Sequence, residues 1–271
     1  MNNKELYTRL KNILSEISEE DYPEIYNIIE NELDFSDEAV YEEAYNIAGE
    51  LHEADGTKIL PECVADFIID VYTDELNSGN VNAACDIGSL YYTGRAGEQN
   101  YKKAVEYYTI AADGGCRQAQ ENLGYCFYYG RDIPVDYEKA FHYFALGAFD
   151  GHLRSLYKIG DMYRNGYYVD KNEVEAFRIY MHCAQGLNED NIHLVGADIM
   201  IRLGDCFFKG IGTEVDNKQA LKHYQLAEQM YYERLESGDF LIKNCYKHVL
   251  KNQEEARQRL NDVLPGYEWT K

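Results

Sequence analysis

The chain has 271 residues, a hydrophobic content of 45% and only four prolines, which excludes a wholly disordered chain and suits one built mostly from helix. Its formal net charge of −22 disfavours nucleic acid and anionic lipid and favours a basic partner. No apolar run reaches the roughly 18 residues needed to cross a bilayer, and the opening Met1-Asn2-Asn3-Lys4-Glu5-Leu6 holds no apolar signal core, so the sequence reads as cytoplasmic.

From the start, residues 4–18 and 23–34 read as a short helix pair, with Pro23 at a first helical position. The acidity lies at this end. Residues 1–80 hold 21 Asp/Glu against 4 Lys/Arg, and the rest of the chain holds 27 against 22. Such a charge run is ordinarily a solvated, solubilising face. Residues 1–38 are therefore an acidic N-terminal helical cap. Residues 39–80 read as a degenerate helix pair, in which Ser36 caps the helix that follows, Gly49 sits within that helix, Gly56 ends it and Pro61 begins the second.

Residues 81–238 repeat themselves. Gly88, Gly124 and Gly160 stand 36 residues apart, and Gly204 follows after 44. Each follows an aliphatic residue and is itself followed six residues later by Gly94, Gly130, Gly166 or Gly210. Sixteen residues after each first glycine comes Ala104, Ala140, Ala176 or Ala220, and a small residue (Ala111, Gly147, Cys183, Ala227) closes each unit. With the first glycine as position zero, apolar or small residues at −1, +2 and +3 form the buried stripe of a helix. A mid-helix glycine costs about 1 kcal/mol relative to alanine, so its recurrence predicts two helix backbones passing too closely for a side chain. The second glycine is a C-cap able to take positive φ.

Asn100, Asp136, Asn172 and Asp216 are N-caps of each second helix, with capping boxes from Asn172 to Glu175 and from Asp216 to Gln219. An eight-residue insertion near 186–193 lengthens the connection before the fourth copy. Downstream, the second helix of that copy is expected to run to about Ser237. Residues 239–271 then supply capping helices near 239–250 and 252–264, with Asn252 as a cap, and a tail. The 26 tyrosines point to one amphipathic residue type reused at equivalent positions, ring buried and hydroxyl near water.

The pattern Ala83, Ile87-Gly88, Leu90-Tyr91, Gly94, Lys103-Ala104, Tyr107-Tyr108, Ala111-Ala112, Gly114 resembles the Sel-one-like repeat, a relative of the tetratricopeptide repeat. The match covers 83–228 well and 39–80 weakly, with Tyr107, Tyr143, Ile179 and His223 where the family usually has Trp. The reading is an all-α solenoid of about five helix-turn-helix repeats with helical caps at both ends. The resemblance implies a right-handed α-α superhelix with the first helices on its concave side. It also implies a protein-interaction scaffold of the kind found in bacteria, with no shared catalytic residue.

The residues themselves offer little chemistry. Cys126 and Cys206 take the +2 core position and Cys183 a small-residue site, which reads as packing rather than nucleophile or ligand. The seven cysteines lack CxxC spacing and suit a reducing compartment. The histidines show no HExxH, and no glycine pattern makes a phosphate loop. No catalytic, metal or cofactor site is expected.

What varies is the set of first-helix positions −2, +1 and +4, which share a face away from the apolar stripe. These are Asp86, Ser89 and Tyr92; Asn122, Tyr125 and Tyr128; Lys158, Asp161 and Arg164; and Arg202, Asp205 and Phe208. Tyr and Arg are frequent interface anchors, and the set reads as a concave ribbon ending in an exposed aromatic. The expected function is an adaptor, itself a monomer, binding a protein or peptide along this ribbon. The alternative is an acidic immunity or inhibitor protein that neutralises a basic toxin or nuclease through residues 1–80.

Overall fold

A computed structural model describes residues 3–33, 42–54, 58–236 and 242–263. The chain forms two compact units, residues 1–136 and 137–271, with the boundary between the two helices of the second copy. Among the described residues there are thirteen α-helices, one π-helical turn and no strand. None of these helices is long and apolar enough to cross a membrane.

The first unit holds α1 (Asn3–Glu16), α2 (Pro23–Leu33), α3 (Glu42–Glu53), α4 (Glu62–Asn77), α5 (Val81–Thr93), α6 (Tyr101–Asp113) and α7 (Arg117–Tyr129). Its core runs from Leu10, Ile25 and Ile29 through Leu51, Val64 and Phe67 to Ile87 and Leu90. The weak fifth copy is α3 with α4. A Cβ added at Gly49 would meet nothing within 4 Å, so this glycine does not serve the close approach that defines the other copies. Ser36 and Gly56 lie outside the described residues.

The second unit holds α8 (Tyr137–Phe149), α9 (Leu153–Asn165), α10 (Glu173–Gln185), α11 (Ala197–Lys209), α12 (Asn217–Glu236) and α13 (Lys243–Val263). The insertion ends in the π-helical turn Ile192–Gly196, which leads directly into α11. Ser237 lies outside the described residues. The two terminal helices read from the sequence are one. Asn252 does not cap a helix but lies inside α13, where its buried amide donates to Asp205 and to the Tyr224 hydroxyl. Those bonds offset the poor helix propensity of asparagine.

The repeat positions do physical work. Gly94, Gly130, Gly166 and Gly210 end their helices in the left-handed region, each N–H bonding the carbonyl four residues back. Ala104, Ala140, Ala176 and Ala220 are fully buried. The mid-helix glycine has a different cause from the one expected. A Cβ at Gly88, Gly160 or Gly204 would come within 2.6 Å of the ring of Tyr108, Tyr180 or Tyr224. The second helix lays a tyrosine face against the first, and the ring takes most of the side chain's space; at Gly88 the Ala104 carbonyl oxygen, 3.3 Å from the added Cβ, crowds it as well.

The second helices are also capped differently from the expected boxes. Asn172 accepts from the Glu175 N–H, and Asp216 accepts from those of Lys218 and Gln219. The reciprocal bond is replaced. The N–H groups of Asn100, Asp136, Asn172 and Asp216 donate to the carbonyls of Tyr91, Phe127, Tyr163 and Phe207, the +3 residue of each copy. The donor that a capping box satisfies locally is used here to tie the loop back to the first helix.

Candidate partner-binding face

The variable positions of the first helices differ between the units. In the first unit all six, Asp86, Ser89, Tyr92, Asn122, Tyr125 and Tyr128, are half-buried. Asp86 on α5 accepts a 2.7 Å bond from the Tyr45 hydroxyl on α3. Burial pushes its carboxyl pKa up, against the hydrogen bond from Tyr45. Asn122 on α7 accepts from Gln118 and donates to the Cys85 thiol.

The tyrosines form a cluster. Tyr92 packs edge-on to Tyr101 at 5.1 Å, and Tyr129 stacks on Tyr125 at 6.2 Å and meets Tyr128 edge-on at 4.9 Å. The exposed Arg131 lies over the rings of Tyr101 and Tyr129, at 5.5 and 5.4 Å. Rings held by one another, with a guanidinium beside them, offer a stiff surface of low ordering cost.

In the second unit the same positions are consumed by one another. Arg202 on α11 grips Asp161 on α9 with both Nε and Nη2 at 2.7 Å. The Tyr180 hydroxyl donates to the same carboxylate at 2.8 Å, and Lys158 stands 3.4 Å away. Burial opposes ionisation of Asp161, but Arg202 and Lys158, with the Tyr180 bond, hold its pKa below the usual carboxylate value. Asp205 on α11 is built alike. Burial is outweighed by the Tyr224 hydroxyl at 2.7 Å and by Lys209, Arg164 and His248, and its pKa is lowered. Arg164 on α9 reaches Asp205 at 3.5 Å. The result is a crossed ladder, Asp161–Arg202 and Arg164–Asp205, joining consecutive repeats through charge-assisted bonds.

Phe208 was expected to be an exposed aromatic. It is 3% exposed, because α13 covers it. The Arg259 guanidinium sits 3.8 Å from its ring centroid and donates to its carbonyl at 3.0 Å. Lys158, Asp161 and Asp205 are likewise buried rather than solvated. Two partners of this face were missed in the sequence. The tyrosine twenty residues after the first glycine places its hydroxyl on the aspartate at +1, as Tyr180 does on Asp161 and Tyr224 on Asp205. The signal was available: copies three and four pair Asp with Tyr at these positions, whereas copy two pairs Tyr125 with Phe144.

Among the described residues, no three His, Cys, Asp or Glu side chains gather as metal ligands. Cys126, Cys183 and Cys206 are fully buried, and burial pushes each thiol pKa up, which suppresses the reactive thiolate.

The family model of the Sel1 repeat matches residues 81–116, 117–152, 153–180 and 197–232, half of the chain. The gap between the third and fourth matches holds the insertion and its π-helical turn. A Sel1 repeat protein from Oxalobacter formigenes superposes with a TM-score of 0.54 at 22% identity, over 74% of this chain and 79% of that one. A protective antigen of uropathogenic Escherichia coli with an SLR fold superposes with a TM-score of 0.57 at 20% identity, over 89% of this chain and 51% of that one. The chain thus spans about half the length of that antigen. An immunity protein from Pseudomonas aeruginosa reaches a TM-score of only 0.36, at 19% identity over 70% and 81% of the two chains, too little to bear on fold or function. No curated protein matches the sequence. At these identities the likeness is one of fold, an all-α solenoid of helix-pair repeats.

Proposed function

Because the chain belongs to the Sel1 repeat family, whose members mediate protein–protein interaction as non-catalytic helical scaffolds, we propose that it is an adaptor that holds a protein or peptide on its first-helix faces. The observation that carries this reading is the tyrosine cluster of the first unit, where Tyr92, Tyr125 and Tyr128 are half-buried beside the exposed Arg131. Rigid aromatic rings with a guanidinium at their edge are the side chains that most often anchor an interface. Asp86, Ser89 and Asn122 belong to the same proposed face, and the six positions of the second unit form a face of their own, shaped mainly by the bonds among them. The reading needs no catalytic residue, metal or cofactor, and the free thiols support a reducing compartment.

The test is affinity purification from the native host, comparing the parent with Tyr92→Ala/Tyr125→Ala/Tyr128→Ala. Loss of a specific partner with helicity retained is the expected result. Capture of the same partner at equal affinity by the triple variant removes the tyrosine face from the site.

A second reading, an inhibitor of a basic protein, is favoured by one feature of the first unit. Glu62, Asp66, Asp70 and Asp74 are all exposed on α4 at four-residue spacing. Like charges so placed cost the helix about 0.2–0.5 kcal/mol per pair, and Arg9 pairs with Asp70 at 3.0 Å. Binding through this face weakens steeply with salt, whereas binding through the tyrosines does not.

A further inference from the structure

At the fourth copy the proposed face is already occupied. The helix α13 lies over positions +1 and +4 of α11, with Asn252 on Asp205 and Tyr224, His248 3.5 Å from Asp205, and Arg259 stacked on Phe208. Residues 248, 252 and 259 share one helical face, four and seven residues apart. The contacts match what an external helix would make in a groove: a polar head reaching a buried carboxylate, and a guanidinium on an aromatic face.

Its packing is unlike that of the repeat helices. Where α12 buries Leu221, Tyr224, Ala227 and Tyr231, α13 buries Val249, Asn252, Gln253 and Ala256, two small apolar side chains and two amides. Gln253 is held by Glu228 at 2.6 Å and by Arg257 at 2.9 Å. Beside these contacts an open groove of about 830 Å³ separates α12 from α13, lined by Gln229, Tyr232, Tyr246 and Leu250 among others. Ile242, Val249 and Ala256 join the apolar core of the unit, with Tyr246 and Leu260 packed against it. Half of the side chains that α13 buries are nonetheless amides held by polar bonds, and an open groove lies beside them, the marks of a segment that opens before the rest of its unit.

We propose that the face of the fourth repeat is a receptor for an amphipathic helix bearing an amide and a guanidinium seven residues apart, and that α13 is its resident intramolecular occupant, which keeps the face closed until it undocks. This deepens the adaptor reading and rests on it for the meaning of an opened face. The docking itself is testable without any external partner.

In Asn252→Ala/Arg259→Ala both substitutions keep or raise helix propensity, so any loss of protection reports docking and not weaker helix formation. Amide hydrogen exchange across residues 243–263 is expected to rise by about tenfold or more, while α11 and α12 keep their protection. A labelled peptide of residues 242–263 added in trans is expected to bind this variant more tightly than the parent, and to lose that binding when Phe208→Ala is added. Unchanged protection of α13 overturns the proposal. So does loss of protection in α11 and α12 together with α13, which makes α13 an integral cap, and so does a peptide that binds neither protein or both equally. Each of those failures leaves the tyrosine face untouched, since that reading stands or falls on partner capture.

Discussion

At the same three register positions, the two units put their first helices to different use. In the first unit the residues at −2, +1 and +4 are neutral or aromatic apart from Asp86, and they stay half-buried. In the second unit all but Phe208 are charged, and each charge is spent on a neighbour: Asp161 on Arg202, Lys158 and Tyr180, and Asp205 on Tyr224 and Arg164. The difference teaches that one repeat position can be a surface or a rivet. The choice follows from whether the adjacent copies supply opposite charge and a hydroxyl. The first unit therefore keeps these positions half-buried, whereas in the second they are held by their own bonds, with Asn252 and Arg259 of α13 on Asp205 and Phe208.

The sharpest way to break this contrast is to cut the rivet. Arg202→Ala leaves the Asp161 carboxylate buried without its bidentate partner and removes a guanidinium packed 4.2 Å from the Tyr157 ring centroid. Loss of one member of a buried pair costs about 3–5 kcal/mol. Asn122→Ala occupies the same register position in the first unit and removes only amide bonds, for about 1 kcal/mol or less. Urea denaturation of the two variants measures the difference. Equal losses mean that the ladder is not what separates the units.

Much of the fold was legible in the sequence because a repeat writes its constraints four times. The glycine register, the C-caps and the N-caps each rest on local rules that act within one helix turn. What the mid-helix glycine meets was not legible, since a ring from the next helix and a backbone both exclude a Cβ. The ladder was missed for a related reason. Asp161 and Arg202 stand 41 residues apart, and that separation brings them together only after repeats stack with an insertion between them. The burial of Phe208 depends on Arg259, 51 residues away on a helix outside the repeat register, so no periodicity pointed to it.

Acid separates the units by sign. Asp161 and Asp205 have pKa values held below the usual 3.8. Their contribution to stability is present above the unfolded value and is lost as the pH falls through the lower folded one. Asp86 is raised instead, so its charge works against the fold at neutral pH, and protonation on acidification relieves it. Amide exchange at about pH 3 compared with pH 7 is expected to show α9 and α11 losing protection relative to α5. Equal loss in all three helices, or greater loss in α5, rejects the assignment of these carboxylates to opposite signs.

The smallest expected effect tests whether the ladder is symmetric. Arg164 approaches Asp205 at 3.5 Å with a side chain 23% exposed, a longer and wetter contact than that of Arg202. Asp205 also keeps Tyr224 at 2.7 Å, Asn252 at 3.1 Å and Lys209 at 3.3 Å when Arg164 is removed. Arg164→Ala therefore costs about 1 kcal/mol or less, although it breaks the mirror image of the bond that Arg202 makes. A loss approaching that of Arg202→Ala in the same urea titration makes the two crossed bonds equivalent. The second unit is then clamped from both repeats, and not riveted through Asp161 alone.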